Sequence, residues 1–216
     1  MIGNTLHSGK RSSLYIMENP KISLYPWQNS LSKLLRNNLA NSNGSPHLAI
    51  VGIGNELNGD DAAGSLVARA LRQRKCAEGV YHLLVLDAGV APENMTGEIR
   101  EFKPGLIVFI DAADMGEAPG TVRWIAMDEI DGMSASTHRM PLSMLAQYLT
   151  LELGCDIVLL GIQPAIVKMG EELSDPVRRV VENMSDDLCD LLMLRTDLQG
   201  VFVNKPAPKP VAAGAG

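Results

Sequence analysis

The chain has 216 residues and a formal net charge of −6, and 46% of its residues are hydrophobic. This size and composition are typical of one globular domain with flanking segments. The acidic balance, without a run rich in lysine and arginine, argues against nucleic acid as a partner. No stretch of about 18 apolar residues is present that could form a transmembrane helix.

The two ends of the chain differ in composition from its middle. Residues 1–46 are rich in Ser, Asn and Lys and predict an N-terminal extension, partly disordered, with one short amphipathic helix over about 26–38. Four apolar residues recur there at helical spacing: Trp27, Leu31, Leu34 and Leu35. Residues 196–216 end in KPAPKPVAAGAG, and this composition predicts a disordered Pro/Ala/Gly tail.

The cysteines and the N-terminus bear on the compartment. The three cysteines, Cys76, Cys155 and Cys189, are widely spaced and form no C-x-x-C pair. The N-terminus lacks the apolar segment of a signal peptide. We therefore predict a cytoplasmic chain whose cysteines are reduced, small core residues.

Residues 47–195 alternate between strand and helix patterns and predict one domain. Strands are predicted at 47–53, 82–87, 105–111, 121–126 and 156–162, and helices at about 61–73, 92–102, 141–153 and 175–194. Three of the strands are continuous apolar runs, as in strands that are buried on both faces. The fold class is therefore α/β, a three-layer sandwich. Its twisted five-stranded sheet is mainly parallel, with helices on both faces and 121–126 as an antiparallel edge strand.

The first predicted strand leads into GIGNELNGDDAAG, residues 52–64. Its glycines do not match the dinucleotide fingerprint G-x-G-x-x-G, and it lacks the Gly-Lys-Ser/Thr of a phosphate-binding loop. Asp60 is interpreted as a helix N-cap and Asp61 as a first-turn residue. Two carboxylates at a helix N-terminus would repel a phosphate, so the pair favours a cation instead.

Further polar residues follow other predicted strands at the edge where ligands bind in open α/β sheets. Asp111 ends an apolar strand, and its interpretation as a turn residue stays open beside that of a ligand. Asp87, in LDAGVAPEN, is more typical of a structural position. His138 is the one histidine that the predicted fold brings to this edge. Together with the carboxylates it would make a mixed nitrogen and oxygen site for a divalent transition metal.

Five motifs, in this order, carry a family resemblance: GIGNELNGDDAAG, LDAGVAPEN, VFIDAADMG, THRMPL and LLGIQP. Together they resemble the hydrogenase maturation endopeptidases over about residues 47–195, and are most similar to the branch that serves formate-hydrogenlyase hydrogenases. The resemblance implies an endopeptidase that removes a C-terminal extension from the large-subunit precursor of a NiFe hydrogenase after nickel insertion. The partner is then that precursor, and we expect a monomer that binds neither nucleic acid nor membrane.

The resemblance also implies the site residues. The metal-binding and catalytic positions of the family match Asp61, Asp111 and His138 of this chain. The cofactor is then nickel borne by the substrate, with no tightly held metal of the protease's own. The 46-residue N-terminal extension and the Pro/Ala tail depart from the family pattern and bear on the choice of partner.

Two other functions remain open from the sequence. One is a chaperone that checks the precursor for nickel through the same residues without cleaving it. The other is a small-molecule hydrolase on a similar fold, which the acidic pair and the missing phosphate loop disfavour. The residue that acts as general base and the position of the cut are not predicted.

Overall fold

In the computed structural model, residues 25–42, 46–74, 81–126, 129–130 and 140–193 are described, and all lie within one compact unit, residues 24–202. The helices are α1 Pro26–Asn41, α2 Ala63–Gln73, α3 Thr96–Phe102, α4 Leu142–Leu153 and α5 Asp175–Met193. The strands are β1 His47–Ile53, β2 His82–Gly89, β3 Leu106–Ala112, β4 Val122–Ile125 and β5 Asp156–Ile162. Two 3₁₀ turns, Gly59–Ala62 and Pro92–Met95, precede α2 and α3.

The five strands form one sheet in the order β2-β1-β3-β5-β4. β1 pairs in parallel with β2 and β3, and β3 pairs in parallel with β5. β4 pairs antiparallel with β5 at the edge. The predicted α/β sheet with one antiparallel edge strand is thus confirmed.

Alternate residues of the central strands face two separate apolar layers, as the pleat of a strand requires. In β1, Leu48 and Ile50 pack into the layer that contains α1, α2 and α5. Ala49 and Val51 pack into the layer that contains α3 and α4. Because both faces are covered, β1 and β3 are continuous apolar runs and not alternating ones. The predicted three-layer arrangement is confirmed.

The helix predicted at 26–38 is present and reaches Asn41. Its buried residues Trp27, Leu31 and Leu35 join the layer of α2 and α5. Part of the predicted N-terminal extension thus contributes to the core. The domain boundaries stay predictions, since residues 1–24 and the tail 196–216 lie outside the described residues.

The cysteine prediction is only partly right. Cys155 is free and buried, as expected. Cys189 is buried in the core layer but is disulfide-bonded, so the prediction of reduced cysteines is wrong there. The error arises because the spacing of cysteines along the chain does not report which thiols meet in the fold. Among the described residues, none of the helices combines the length and the apolar character needed to span a bilayer.

Candidate active site

Close packing brings the end of β1, the start of α2 and the end of β3 together. A Cβ atom on Gly64 would lie 2.0 Å from the carbonyl oxygen of Ile110, and one on Gly52 would lie 2.1 Å from that of Gly64. No side chain fits in either gap. Two of the glycines in GIGNELNGDDAAG therefore allow α2 to approach the sheet.

Asp61 lies in the 3₁₀ turn between β1 and α2, with 4% of its surface exposed. Its carbonyl oxygen accepts a hydrogen bond from the N–H of Asn55 at 3.1 Å, which closes the loop that follows β1. Its Oδ2 accepts one from the side-chain amide of Asn58 at 3.4 Å. A Cβ atom on Gly54 would lie 2.1 Å from the Asp61 carbonyl, so this closure needs glycine there.

Asp111 lies near the end of β3 and is fully buried. Its Oδ1 accepts a hydrogen bond from the N–H of Ala112 at 2.8 Å. Since β1 and β3 are parallel neighbours, with Gly52 opposite Ile110, both strands deliver their following residues to the same edge. The turn that carries Asp61 contacts β3. Two buried carboxylates therefore lie at the carboxyl ends of adjacent strands.

The third predicted ligand, His138, lies outside the described residues. Within the part of the chain that the structure describes, no group of three His, Cys, Asp or Glu side chains is placed to hold a metal. Of the three predicted ligands, the described residues include only the two carboxylates, those of Asp61 and Asp111. The assignment of Asp61, Asp111 and His138 stays a prediction.

Asp60 is not the helix cap that the sequence predicts. Its carboxylate is fully buried and turns away from its own helix, toward the loop between β5 and α5. Oδ2 accepts hydrogen bonds from the N–H groups of Ala165 at 2.7 Å and Ile166 at 2.9 Å. Ser174 donates from its N–H to Oδ1 and from its hydroxyl to Oδ2. The cap prediction is wrong because these partners, more than a hundred residues along the chain, offer several donors at once.

Asp87 is a structural residue, as the sequence favours. Arg69 of α2 donates to Asp87 at the end of β2 and also to Glu56 in the loop after β1. Burial raises the pKa of Asp87, but hydrogen bonds from the side chains of Arg69 and Ser65 lower it by more, so that the net pKa lies below the ordinary value. Arg69 thus pairs with two of the acids at this edge and offsets one of their two negative charges.

Gln163 has a role that was not predicted from the sequence. It follows β5 in LLGIQP, and its Oε1 accepts hydrogen bonds from the N–H groups of Met115 at 2.7 Å and Glu117 at 3.2 Å. Its Nε2 donates to Asp114 at 3.2 Å. The side chain thus joins the loop after β3 to the end of β5. A polar residue directly after an apolar strand was the available signal in the sequence.

Cysteine chemistry at Cys155 does not compete with the carboxylates. The thiol is buried at the start of β5, the opposite end of that strand from Gln163. Burial raises the pKa of Cys155 to about 11. A thiol with that pKa is almost wholly protonated at neutral pH and is a poor nucleophile. Cys155 is therefore not a candidate nucleophile.

The match to known proteins decides the family. The sequence model of a family described as hydrogenase maturation protease matches residues 65–191, more than half of the chain. The chain belongs to the hydrogenase maturation protease family.

Relatives and solved structures of hydrogenase maturation proteases agree with this assignment. The hydrogenase 3 maturation protease of Escherichia coli K12 is 40% identical over 134 residues, which cover 61% of this chain and 82% of the relative. The crystal structure of a NiFe hydrogenase maturation protease from Thermococcus kodakarensis superposes with a TM-score of 0.62 at 34% identity. It covers 74% of this chain and 98% of that one.

A second solved structure shows the same fold. The solution structure of an endopeptidase HycI from Escherichia coli superposes with a TM-score of 0.55 at 34% identity, covering 65% of this chain and 87% of that one. The resemblance predicted from the five motifs is thus confirmed at the level of the family and the fold.

Proposed function

We propose that this protein is the endopeptidase that removes the C-terminal extension from the large-subunit precursor of a NiFe hydrogenase after nickel has been inserted. Asp61, Asp111 and His138 engage the nickel ion that the precursor carries. The protease acts as a monomer in the cytoplasm. Membership of the hydrogenase maturation protease family supports the activity, and the placement of the carboxylates supports the metal recognition.

The observation that carries the proposal is the placement of two buried carboxylates at the carboxyl ends of adjacent parallel strands. Asp60 is committed to the β5–α5 loop through four hydrogen bonds. Glu56 and Asp87 are ion-paired with Arg69. Asp61 and Asp111 are buried at the carboxyl ends of β1 and β3. With one imidazole they make a donor set that suits a divalent transition ion.

Recognition of the metal would couple cleavage to maturation. A precursor without nickel offers a neutral peptide to two carboxylates, and burial of charge without a counter-ion is unfavourable. A nickel-loaded precursor supplies the counter-ion, and binding then aligns the peptide bond that lies just beyond the metal. The nickel of the substrate can polarise the scissile carbonyl, and Asp61 or Asp111 can take the proton of the attacking water.

Cleavage by single variants tests the three residues. We expect Asp61→Asn, Asp111→Asn and His138→Ala each to lower the cleavage rate of nickel-loaded precursor by at least about a hundredfold, since each removes a charge or a donor atom. Cleavage is read by the mass of the precursor, and circular dichroism checks the fold. The exposed Asp156→Asn, at the other end of the sheet, is the control. Three folded variants that all cleave normally would refute the site.

The same assay separates the proposal from a chaperone that checks for nickel without cleaving. A chaperone would bind the nickel-loaded precursor and leave its mass unchanged. The proposed endopeptidase shortens it by the mass of the extension in a single step.

A further inference from the structure

An exposed apolar surface lies beside the turn that carries Asp61. It consists of Leu57 in the loop after β1 and of Ile166, Val167 and Met169 in the loop after β5, and is called the apolar platform below. These side chains are 39 to 73% exposed. Soluble proteins expose single apolar residues routinely, but a cluster on two adjoining loops marks a contact surface.

The two loops of the apolar platform are joined to each other through their backbones. The N–H of Gly170 donates to the carbonyl of Leu57 at 2.8 Å. The N–H of Asp60 donates to the carbonyl of Ile166 at 2.8 Å, while the Asp60 carboxylate accepts the N–H of Ile166. The platform is therefore fixed directly to the residue that precedes Asp61.

The charge that lies among the apolar residues of the loop after β5 is paired. Lys168, the single charged residue between Ala165 and Gly170, forms an ion pair with Glu171 at 3.1 Å. A surface with large exposed apolar groups and a neutralised charge suits an apolar protein partner better than a charged one. A rigid loop also loses little conformational freedom when a partner binds, which favours affinity.

The small contact area that the two buried carboxylates offer indicates that a folded protein partner also contacts the surface around them. Asp61 and Asp111 are buried, so their side chains offer a partner almost no contact area. Recognition of a folded protein needs roughly 800 Å² on each side. The remaining area must come from surface around the carboxyl ends of the strands, and the apolar platform is continuous with the Asp61 turn there.

We propose that the apolar platform is the docking surface for the folded body of the nickel-loaded large-subunit precursor, and that Asp60 holds it in place. This inference rests on the proposed function. The platform supplies binding affinity for the precursor, and the carboxylates of Asp61 and Asp111 bind its nickel ion. Docking and metal recognition are thus separate contributions to one interface.

A second exposed apolar surface gives the matched control. The outer face of α4 carries Met144, Tyr148 and Leu151, and Leu151 is 80% exposed. Leu151 lies in the last turn of α4, shortly before the start of β5, and so near the amino-terminal end of that strand, opposite the end that carries the platform. Leu151→Ser therefore removes a comparable exposed apolar group far from the platform.

The test compares the Leu57→Ser/Met169→Ser double variant with Leu151→Ser and the unaltered chain. Surface plasmon resonance on immobilised nickel-loaded precursor gives the Kd, and the initial cleavage rate by mass gives KM and kcat. We expect the double variant to raise Kd and KM by about tenfold and to leave kcat within about twofold, as for loss of apolar contacts that are equal in ground and transition states. Leu151→Ser should change neither quantity.

The outcomes separate the two proposals. An unchanged Kd in the folded double variant would overturn the platform, as would an equal loss in Leu151→Ser. Failure of the unaltered chain to bind the precursor would overturn it as well. Tight binding that depends on the platform, without any cleavage, would support the docking surface and overturn the proposed endopeptidase.

Discussion

Ser174 donates two hydrogen bonds to the carboxylate of Asp60, one from its N–H to Oδ1 at 2.7 Å and one from its hydroxyl to Oδ2 at 2.8 Å. This contact joins the turn after β1 to the residue directly before α5. It gives the first acid of the Asp60–Asp61 pair a structural task. The pair therefore consists of a residue that holds a loop and a candidate for the chemistry.

Replacement of Asp60 by Asn is expected to be harmful. Asn is a good N-cap residue and would be tolerated if Asp60 capped its own helix. In the structure an amide would turn its NH₂ group toward N–H or O–H donors and leave at least one of them without an acceptor. We expect a loss of about 1–3 kcal/mol in the free energy of unfolding, measured by urea denaturation, together with slower cleavage.

The exposed Asp156→Asn controls for the change of charge and should lie within about 0.5 kcal/mol of the unaltered protein. Wild-type stability in Asp60→Asn would show that the hydrogen bonds from Ala165, Ile166 and Ser174 contribute little.

Gln163→Ala is expected to loosen the loop after β3. The change leaves the N–H groups of Met115 and Glu117 without the acceptor they have in the structure. Hydrogen exchange at these two amides should therefore become faster by at least about tenfold, while exchange in the centre of β3 stays slow. Gln147→Ala, on an exposed position of α4, should leave both rates unchanged. Equal exchange rates in Gln163→Ala and the unaltered protein would contradict this role.

Gly64→Ala tests the close approach of α2 to the sheet. The new methyl group would overlap the carbonyl oxygens of Ile110 and Ile53, both of which are backbone atoms and cannot turn aside. We expect a fall in Tm of more than about 10 °C or failure to fold, since overpacking at such a contact costs several kcal/mol.

Gly97→Ala on α3 is the matched substitution. A Cβ atom there meets nothing within 4 Å. Alanine is the better helix former by up to about 1 kcal/mol, so Tm should stay constant or rise. A similar fall in Tm for both variants would mean that flexibility of the backbone, and not the contact with Ile110, sets the requirement at Gly64.

Arg69→Met is expected to raise the pKa of Asp87. Burial raises that pKa, and the side chain of Arg69 is the first of the groups that lower it. The folded pKa lies below the unfolded one, so the stabilisation is present above the unfolded pKa and is lost as pH falls through the folded pKa. The difference in unfolding free energy between Arg69→Met and the unaltered protein should therefore shrink toward acid pH.

The size of that difference is expected to be about 0–1 kcal/mol, since the ion pairs of Arg69 are partly exposed. Titration of Asp87 by NMR gives the pKa directly. Arg74→Met, which removes the ion pair with Asp186 on α5, should leave the pKa of Asp87 unchanged. An unshifted pKa in Arg69→Met would contradict the assigned cause.

Most of the fold could be predicted from the sequence because the apolar runs and helical periodicities of the chain coincide with the segments that are buried in the structure. β1 and β5 begin and end at the predicted residues, since both are apolar runs between polar loops. The two 3₁₀ turns were not predicted. The helices predicted at 61–73 and 92–102 start inside these turns, whereas α2 begins at Ala63 and α3 at Thr96. A 3₁₀ turn and an α-helix have similar apolar patterns over four residues, so periodicity does not separate them.

The site was harder to predict than the fold. The edge that holds Asp61 and Asp111 follows from strand order, because parallel strands carry their following residues to one edge. The partners of Asp60 and Gln163 could not be found that way. Both side chains bind the backbone of loops distant in sequence, and backbone N–H groups leave no mark in the residue pattern.

Recognition of the substrate's nickel by the protease is the core of the proposed mechanism. The direct measurement incubates the purified chain with the large-subunit precursor in nickel-loaded and nickel-free form and follows both by mass spectrometry. We predict loss of the C-terminal extension from the nickel-loaded precursor and an unchanged mass for the nickel-free one. Cleavage of both forms at equal rates would contradict nickel recognition.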